Sequence, residues 1–306
     1  GDGKWVMVAN YLPHSLVLLD ADLNPVKVLP AKDAQGTTSS RVSAVYDAAP
    51  RKSFIAAMKD IKELWEISYD PKAEPVYAGL VHDYRMGEGV AQPGQFTPRR
   101  APLEDVLDDF FFDPSYTLAI GASRGKDGSG GLAQVVNLHV RRKIAELPLP
   151  GMPHLGSGIT WERNGRRVMA TPHLNEGVLS VIDMQDWTLI DQIKTPGPGF
   201  FLRSHHTSPY LWADVFFGPN KDQMLVIDKQ TLKIVKTLKP FPGKTFAHAE
   251  FTRDGRYVLV SLWEDDGAVV VYDAKTLEEV KRLPMRKPSG KYNVWNKITF
   301  EDGTSH

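Results

Sequence analysis

Nine histidines and no cysteines define the chemistry open to this chain. With no thiol, disulfides, thiolate metal sites and cysteine nucleophiles are excluded within these residues. Imidazole remains, and it both ligates transition metals and exchanges protons near neutral pH. His14, His154, His173, His205, His206 and His248 fall at or between strand-like runs, together with Arg41, Arg124 and Arg203. Guanidinium forks match carboxylates bidentately, so imidazoles and arginines gathered together suit a flat, anionic, metal-bearing ligand. Each residue alone also has a plainer reading. His248 sits in a first strand, where an imidazole can bind backbone, and the three arginines read equally as surface salt-bridge partners. His205 and His206 are adjacent, so on extended backbone they point to opposite sides and at most one faces a ligand.

The elements that must position these residues are visible as a repeat. Apolar runs ending in Asp or Asn recur at Asp20, Asp70, Asn137, Asp183, Asp228 and Asp273. The last three are 45 residues apart, and Asn137 precedes Asp183 by 46. The clearest unit starts with a strand over Phe246–Phe251. An Asp254-Gly255 turn leads to a second strand, Tyr257–Leu262, and then to strands over Ala268–Tyr272 and Glu279–Leu283. Four short strands at this period form a β-propeller blade, and helical repeats would need apolar spacings of three and four that these runs lack. The chain therefore reads as all-β, a single β-propeller domain over residues 1–306. About six four-stranded antiparallel blades are expected, the first without its innermost strand, plus a lone strand over Tyr292–Phe300. A Pro/Gly-rich insertion is placed at 81–102. The unmatched strands lead us to expect one to two blades before Gly1, in a domain incomplete at its N-terminus.

Strand alternation sorts the connections onto two faces. Second-to-third loops and blade-to-blade links share one face, and the remaining turns share the other. This rule puts His14, His154, His173, His205, His206 and His248 on one face, with Arg41, Arg124, Arg203, Tyr11, Lys59, Asp108 and Asp109. Loop positions also predict that His173 and His205 are dispensable for stability.

Composition removes other classes. Lys+Arg and Asp+Glu both number 37, so no basic excess points to nucleic acid or an anionic membrane. No apolar run is long enough to span a bilayer as a helix. The Gly-rich stretch 125–131 lies between strands, so it reads as a loop and not a phosphate cradle. No Gly-x-Ser-x-Gly elbow occurs.

Four segments carry a family resemblance. Ala170-Thr171-Pro172-His173, Phe201-Leu202-Arg203-Ser204-His205, His248-Ala249-Glu250-Phe251 and Gly290-Lys291-Tyr292-Asn293-Val294-Trp295-Asn296 resemble the haem d1 propeller family, in order along essentially the whole chain. That family includes the dihaem nitrite reductase of denitrifying bacteria, NirN and NirF. The stretches 149–158, 285–292 and 303–306 resemble most the NirF members, haem d1 biosynthesis proteins.

The resemblance implies an eight-bladed propeller in the full protein and a periplasmic location, lipid-anchored through an N-terminal segment. It implies binding of haem d1 or a haem d1 precursor, an iron tetrapyrrole. The implied role is a dehydrogenase-like, late side-chain conversion in nitrite reductase maturation for denitrification. Two alternatives stand beside it: the haem d1 domain of a nitrite reductase, and a non-catalytic haem d1 carrier or protein-binding propeller. By resemblance, His173 and His205 stand above the ring as proton-handling groups, either being the distal iron ligand, and the proximal ligand lies outside this chain. Asp47 matches by spacing an acidic residue of NirF, and equally reads as the first turn residue before Pro50. Arg41 resembles an arginine that pairs with haem carboxylates, and Arg203, His154, His248 and Arg124 complete the expected cofactor contacts. The implied partners are other haem d1 biosynthesis proteins, the nitrite reductase and a second copy of the chain. The family's cytochrome c domain, present in the reductase and NirN, is absent from this stretch because it needs cysteines.

Overall fold

The Asp/Asn repeat has a single physical cause. In each unit this side chain accepts the amide N–H groups of the turn that follows, closing an Asx turn. The computed structural model describes residues 2–77, 91–125, 130–147, 149 and 152–290. In it Asp228 Oδ1 accepts from Gln230 N at 3.0 Å and Thr231 N at 2.7 Å. Asp273 Oδ1 accepts from Lys275 N at 2.9 Å and Thr276 N at 2.8 Å. Asp20, Asp70, Asn137 and Asp183 do likewise. These amide donors hold the carboxyls of Asp20, Asp70, Asp228 and Asp273 below the usual carboxylate range. Several of the turns end on a left-handed residue (Arg141, Trp187, Leu232 and Leu277), which brings the chain back antiparallel.

Two compact units share the chain. One consists of the described residues up to 110 with 116–119 and 136–144; the other has 111–115, 120–135 and the described residues from 145 on. The first unit holds a three-stranded sheet among the described residues, β1 (Trp5–Asn10), β2 (Ser15–Asp20) and β3 (Pro25–Pro30). It also holds β4 (Val42–Ala48), β5 (Ser53–Met58) and β6 (Glu63–Ser68), a short pair of β7 (Val76–Tyr77) with β8 (Ala91–Gln92), and β9 (Pro98–Pro102). Strand β9 pairs with β6, so the last five residues of the expected 81–102 insertion form an outer strand of the sheet. Its prolines suggested a loop, but Pro98 and Pro102 cap an outer strand, where a missing amide donor is tolerated. Residues 81–90 lie outside the described residues, as do the lone strand expected at Tyr292–Phe300 and the motif residues after Gly290.

A further sheet, β10 (Asp109–Phe112), β11 (Leu118–Ala122), β12 (Ala133–Asn137) and β13 (Arg142–Leu147), is divided between the units. The second unit has three complete four-stranded sheets, each a consecutive antiparallel meander. They are β14 (Ile159–Arg163) to β15 (Arg166–Pro172), β16 (Val178–Asp183) and β17 (Leu189–Lys194); β18 (Leu202–Arg203), β19 (Tyr210–Asp214), β20 (Met224–Asp228) and β21 (Ile234–Leu238); and β22 (Phe246–Phe251), β23 (Tyr257–Leu262), β24 (Ala268–Asp273) and β25 (Glu279–Pro284).

Alternate residues of neighbouring sheets face one another and make the core. Trp212, Met224 and Val226 pack with Phe246, Val258, Val260 and Tyr272. Their opposite-facing neighbours Leu211, Ala213, Leu225 and Ile227 pack with Ile159, Val168 and Leu179. Because β20 is buried on both sides, it reads as a continuous apolar run. Each fully buried large apolar side chain contributes about 1.5–3 kcal/mol. The fold is therefore all-β, built of antiparallel β-propeller blades.

Candidate functional site

The second unit brings three of the candidate histidines to one end of its sheets. His154 precedes β14, His173 follows β15, and His248 lies near the start of β22. Backbone contacts stitch this leading end together. His154 N donates to Pro172 O at 2.8 Å, and Gly199 N donates to His173 O at 3.2 Å. His173 forms an isolated bridge with Pro153, and its Nε2 lies 2.8 Å from Ser180 Oγ. His154 Nδ1 lies 2.7 Å from Phe200 O. A carbonyl only accepts, so this contact places the proton on Nδ1. His248 adopts φ +56° at a β-bulge, where the β22–β23 register shifts between Ala247 and Glu250. The rings of Phe201 and His248 meet edge-on at 4.2 Å. The Phe200 ring lies tilted beside His154 at 4.3 Å, and the aromatic contacts continue into Phe216, Phe217 and Trp263. The leading end thus offers imidazoles beside an aromatic layer.

His205 is elsewhere. Leu202–Arg203 is the first strand of a blade, so residues 204–209 form a first-to-second turn and belong to the opposite end. This corrects the expectation that Arg203, His205 and His206 sit in a blade-to-blade link. At this far end Thr207 N donates to His205 Nδ1 at 3.2 Å, which makes Nε2 the donor to Arg253 O at 3.2 Å. The ring is buried and stacks on Phe251. Lys229, also buried, donates from Nζ to His205 O at 2.9 Å and Ser208 O at 2.6 Å. Gly255, at φ +66°, lies so close that a Cβ there would collide with the imidazole and Thr207. A cavity of about 590 Å³ opens at this end, lined by Thr207, Tyr210, Asp254, Gly255, Arg256 and Lys275 among others. His173 and His205 are both fully buried, so the expectation that neither matters for stability is also corrected.

The arginines already have partners. Arg203 is buried, donates from Nη1 to Leu202 O at 2.9 Å, and pairs through Nε with Glu250 at 3.5 Å. In the first unit, Arg41 binds Asp60 through Nε at 3.0 Å and Nη2 at 2.6 Å, and lies over the Tyr11 ring. The guanidinium holds the Asp60 carboxyl well down, to about 2. Lys59 pairs with Asp108, two residues that the loop rule placed on one face. Asp47 sits at the opposite end of β4 from Arg41 and accepts from Tyr69 Oη at 3.0 Å. Burial, then the Asp47 charge, push the Tyr69 phenol up. Arg124 is exposed on a loop, and its carbonyl accepts from Gly130 N.

Sequence reading missed Asp214. It ends the second strand β19, looks like another turn aspartate, and is fully buried at the leading end. Its Oδ1 accepts from Phe200 N at 2.8 Å and Phe201 N at 3.0 Å; its Oδ2 accepts from His248 N at 3.2 Å. Burial pushes this carboxyl up, against those amides and the Arg203 charge. Among the described residues no cluster of three metal-ligating side chains occurs.

Comparison with known proteins puts this geometry in context. The family model for the cytochrome D1 heme domain matches residues 1–80 and 90–297. A dihydro-heme d1 dehydrogenase of Pseudomonas aeruginosa is 55% identical over all 306 residues, covering 57% of its own length. Protein NirF of Stutzerimonas stutzeri is 28% identical over 302 residues, covering 94% of this chain and 69% of NirF. These identities overturn the expected kinship with NirF: short loop segments suggested it, and identity along the whole chain favours the dehydrogenase. A solved structure of dihydro-heme d1 dehydrogenase NirN in complex with DHE superposes with a TM-score of 0.85 at 53% identity, over 97% of this chain and 58% of that one. The Dos1 propeller, at 11% identity and a TM-score of 0.65 over 93% of this chain and 68% of that one, shares the fold. The chain spans a little over half the length of the dehydrogenases it matches.

Proposed function

The chain belongs to the cytochrome D1 heme domain family, and from that premise we propose that it binds dihydro-haem d1 and serves its dehydrogenation late in haem d1 biosynthesis. The observation that carries this reading is the 55% identity to a dihydro-heme d1 dehydrogenase along the entire chain. The leading end of the second unit fits such a substrate by its chemistry. Imidazole suits iron and proton transfer, and aromatic faces suit a planar macrocycle. Removing two hydrogens from a ring substituent releases two protons and two electrons. His154 is the base for one proton, His173, buried against Ser180, would have to be uncovered to take the other, and an external redox carrier takes the electrons. His248 lines the same end. His205 is committed to Thr207 and Arg253 and has no part in this role. Arg41 and Arg203 would have to exchange Asp60 and Glu250 for a substrate carboxylate. The same reading carries a periplasmic location, checked by fractionation, and the nitrite reductase as eventual recipient, checked by co-purification.

The test is anaerobic titration of the intact protein with dihydro-haem d1, followed by absorption, then addition of an electron acceptor. Saturable binding and conversion to haem d1 are expected. Binding without conversion would make the protein a carrier, reduction of nitrite would make it a reductase, and no binding would end the reading.

A further inference from the structure

We propose that Asp214 is the positioning residue of the leading end: one buried carboxylate sets both the His154–Phe200 pair and the Phe201–His248 pair. The inference deepens the tetrapyrrole reading and rests on it only for the ligand. Its geometric basis is independent.

The two carboxylate oxygens divide the work. Oδ1 holds the consecutive amides of Phe200 and Phe201. That fixes the Phe200 carbonyl, which takes the His154 Nδ1 proton at 2.7 Å, and the Phe200 ring, which lies 4.3 Å from the imidazole. Oδ2 holds the His248 amide at 3.2 Å, in the left-handed residue of the β22 bulge. A non-glycine residue in that conformation is strained and persists only where its surroundings hold it. The segment carrying the phenylalanines is closely seated as well. A Cβ on Gly199 would stand 2.8 Å from Asp214 O, and Phe217 N donates to Pro198 O at 3.1 Å. Asp214 thus ties the start of β18 to the bulge of β22, and through Phe200 it reaches the segment before β14. Burial pushes the Asp214 carboxyl up, and the amides with the neighbouring Arg203, itself paired with Glu250, oppose that.

The experiment uses the intact protein with histidine imidazoles labelled with nitrogen-15. Asp214→Ala should change the ring-nitrogen signals of both His154 and His248. Asp214→Asn keeps an acceptor for the phenylalanine amides but turns a donor toward His248, so it should move His248 while largely sparing His154. Dihydro-haem d1 affinity should fall about tenfold in either variant, the loss of roughly one charge-assisted hydrogen bond. A purely structural aspartate would lower the melting midpoint and leave these tautomer-sensitive signals in place. Either variant, folded, with His154 and His248 signals at parental positions would overturn the proposal. The parent supplies a check free of folding defects: the amides of Phe200, Phe201 and His248 should be among its slowest to exchange, and fast exchange would likewise overturn it. If the histidine signals move but the parent binds no dihydro-haem d1, Asp214 positions these residues as proposed and the functional reading is what fails.

Discussion

The two ends of the second unit's sheets use the same residue types to opposite effect. At the leading end, His154 is half-buried, donates from Nδ1 to the Phe200 carbonyl, and lies beside an aromatic layer that reaches solvent at Phe217. At the far end, both nitrogens of His205 are occupied and the ring is locked between Phe251, Arg253 and the Gly255 turn. A histidine with both nitrogens bonded internally acts as a structural pin. A half-buried one, next to an aromatic layer that reaches solvent, can meet a ligand. Residue type does not distinguish the two; burial and the neighbouring groups do.

Several substitutions would break or sharpen this contrast. Gly255→Ala should have the largest effect on stability. It places a methyl against His205 at a positive φ and should destabilise by about 2–4 kcal/mol. Urea unfolding measures this, and a neutral result would mean the far end is not packed as described. His205→Ala removes a buried ring with two hydrogen bonds and should cost about 2 kcal/mol, leaving the Arg253 carbonyl without its imidazole donor. Asp228→Ala removes the acceptor of two turn amides and should cost about 1 kcal/mol. The repeated turn carboxyls also set an acid response. Their folded pKa values are depressed, so their contribution is complete above the unfolded carboxylate range and is lost as pH falls through the folded values. Melting midpoints of the parent should decline below about pH 4, and Asp228→Asn should flatten that decline. At the small end, Arg41→Ala breaks a solvent-screened pair and should leave the midpoint unchanged within error.

The blades were readable because their signals are local. Alternating apolar residues and an Asp that caps its own turn lie within a few positions of one another, so period and strand limits emerge directly. Where the reading erred, the determinants were short or distant. Strand β18 is two residues long, with no alternation to reveal it, and missing it moved His205 to the wrong end. Pro98 and Pro102 punctuate like a loop, yet close an outer strand that pairs with β6 across some thirty intervening residues. Asp214 copies the repeated turn aspartates in type and setting. Its role depends on amides at 200, 201 and 248, which only the packed sheets bring to it. The burial of Arg203 against Glu250 is equally nonlocal. The resemblance located the family through motifs spread along the chain, and its choice among members failed because it leaned on brief connecting segments.

The central claim is that the leading end carries the tetrapyrrole and the far end carries only stability. Parallel dihydro-haem d1 titrations of His154→Ala and His205→Ala in the intact protein, each paired with a melting curve, test it most directly. His154 is the informative partner because it is half-buried, so its loss need not unfold the sheet. The account predicts that His154→Ala weakens binding about tenfold or more with a near-parental midpoint. It also predicts that His205→Ala melts several degrees lower and binds like the parent. Lost affinity in a stable His205→Ala, with undiminished binding by His154→Ala, would contradict it.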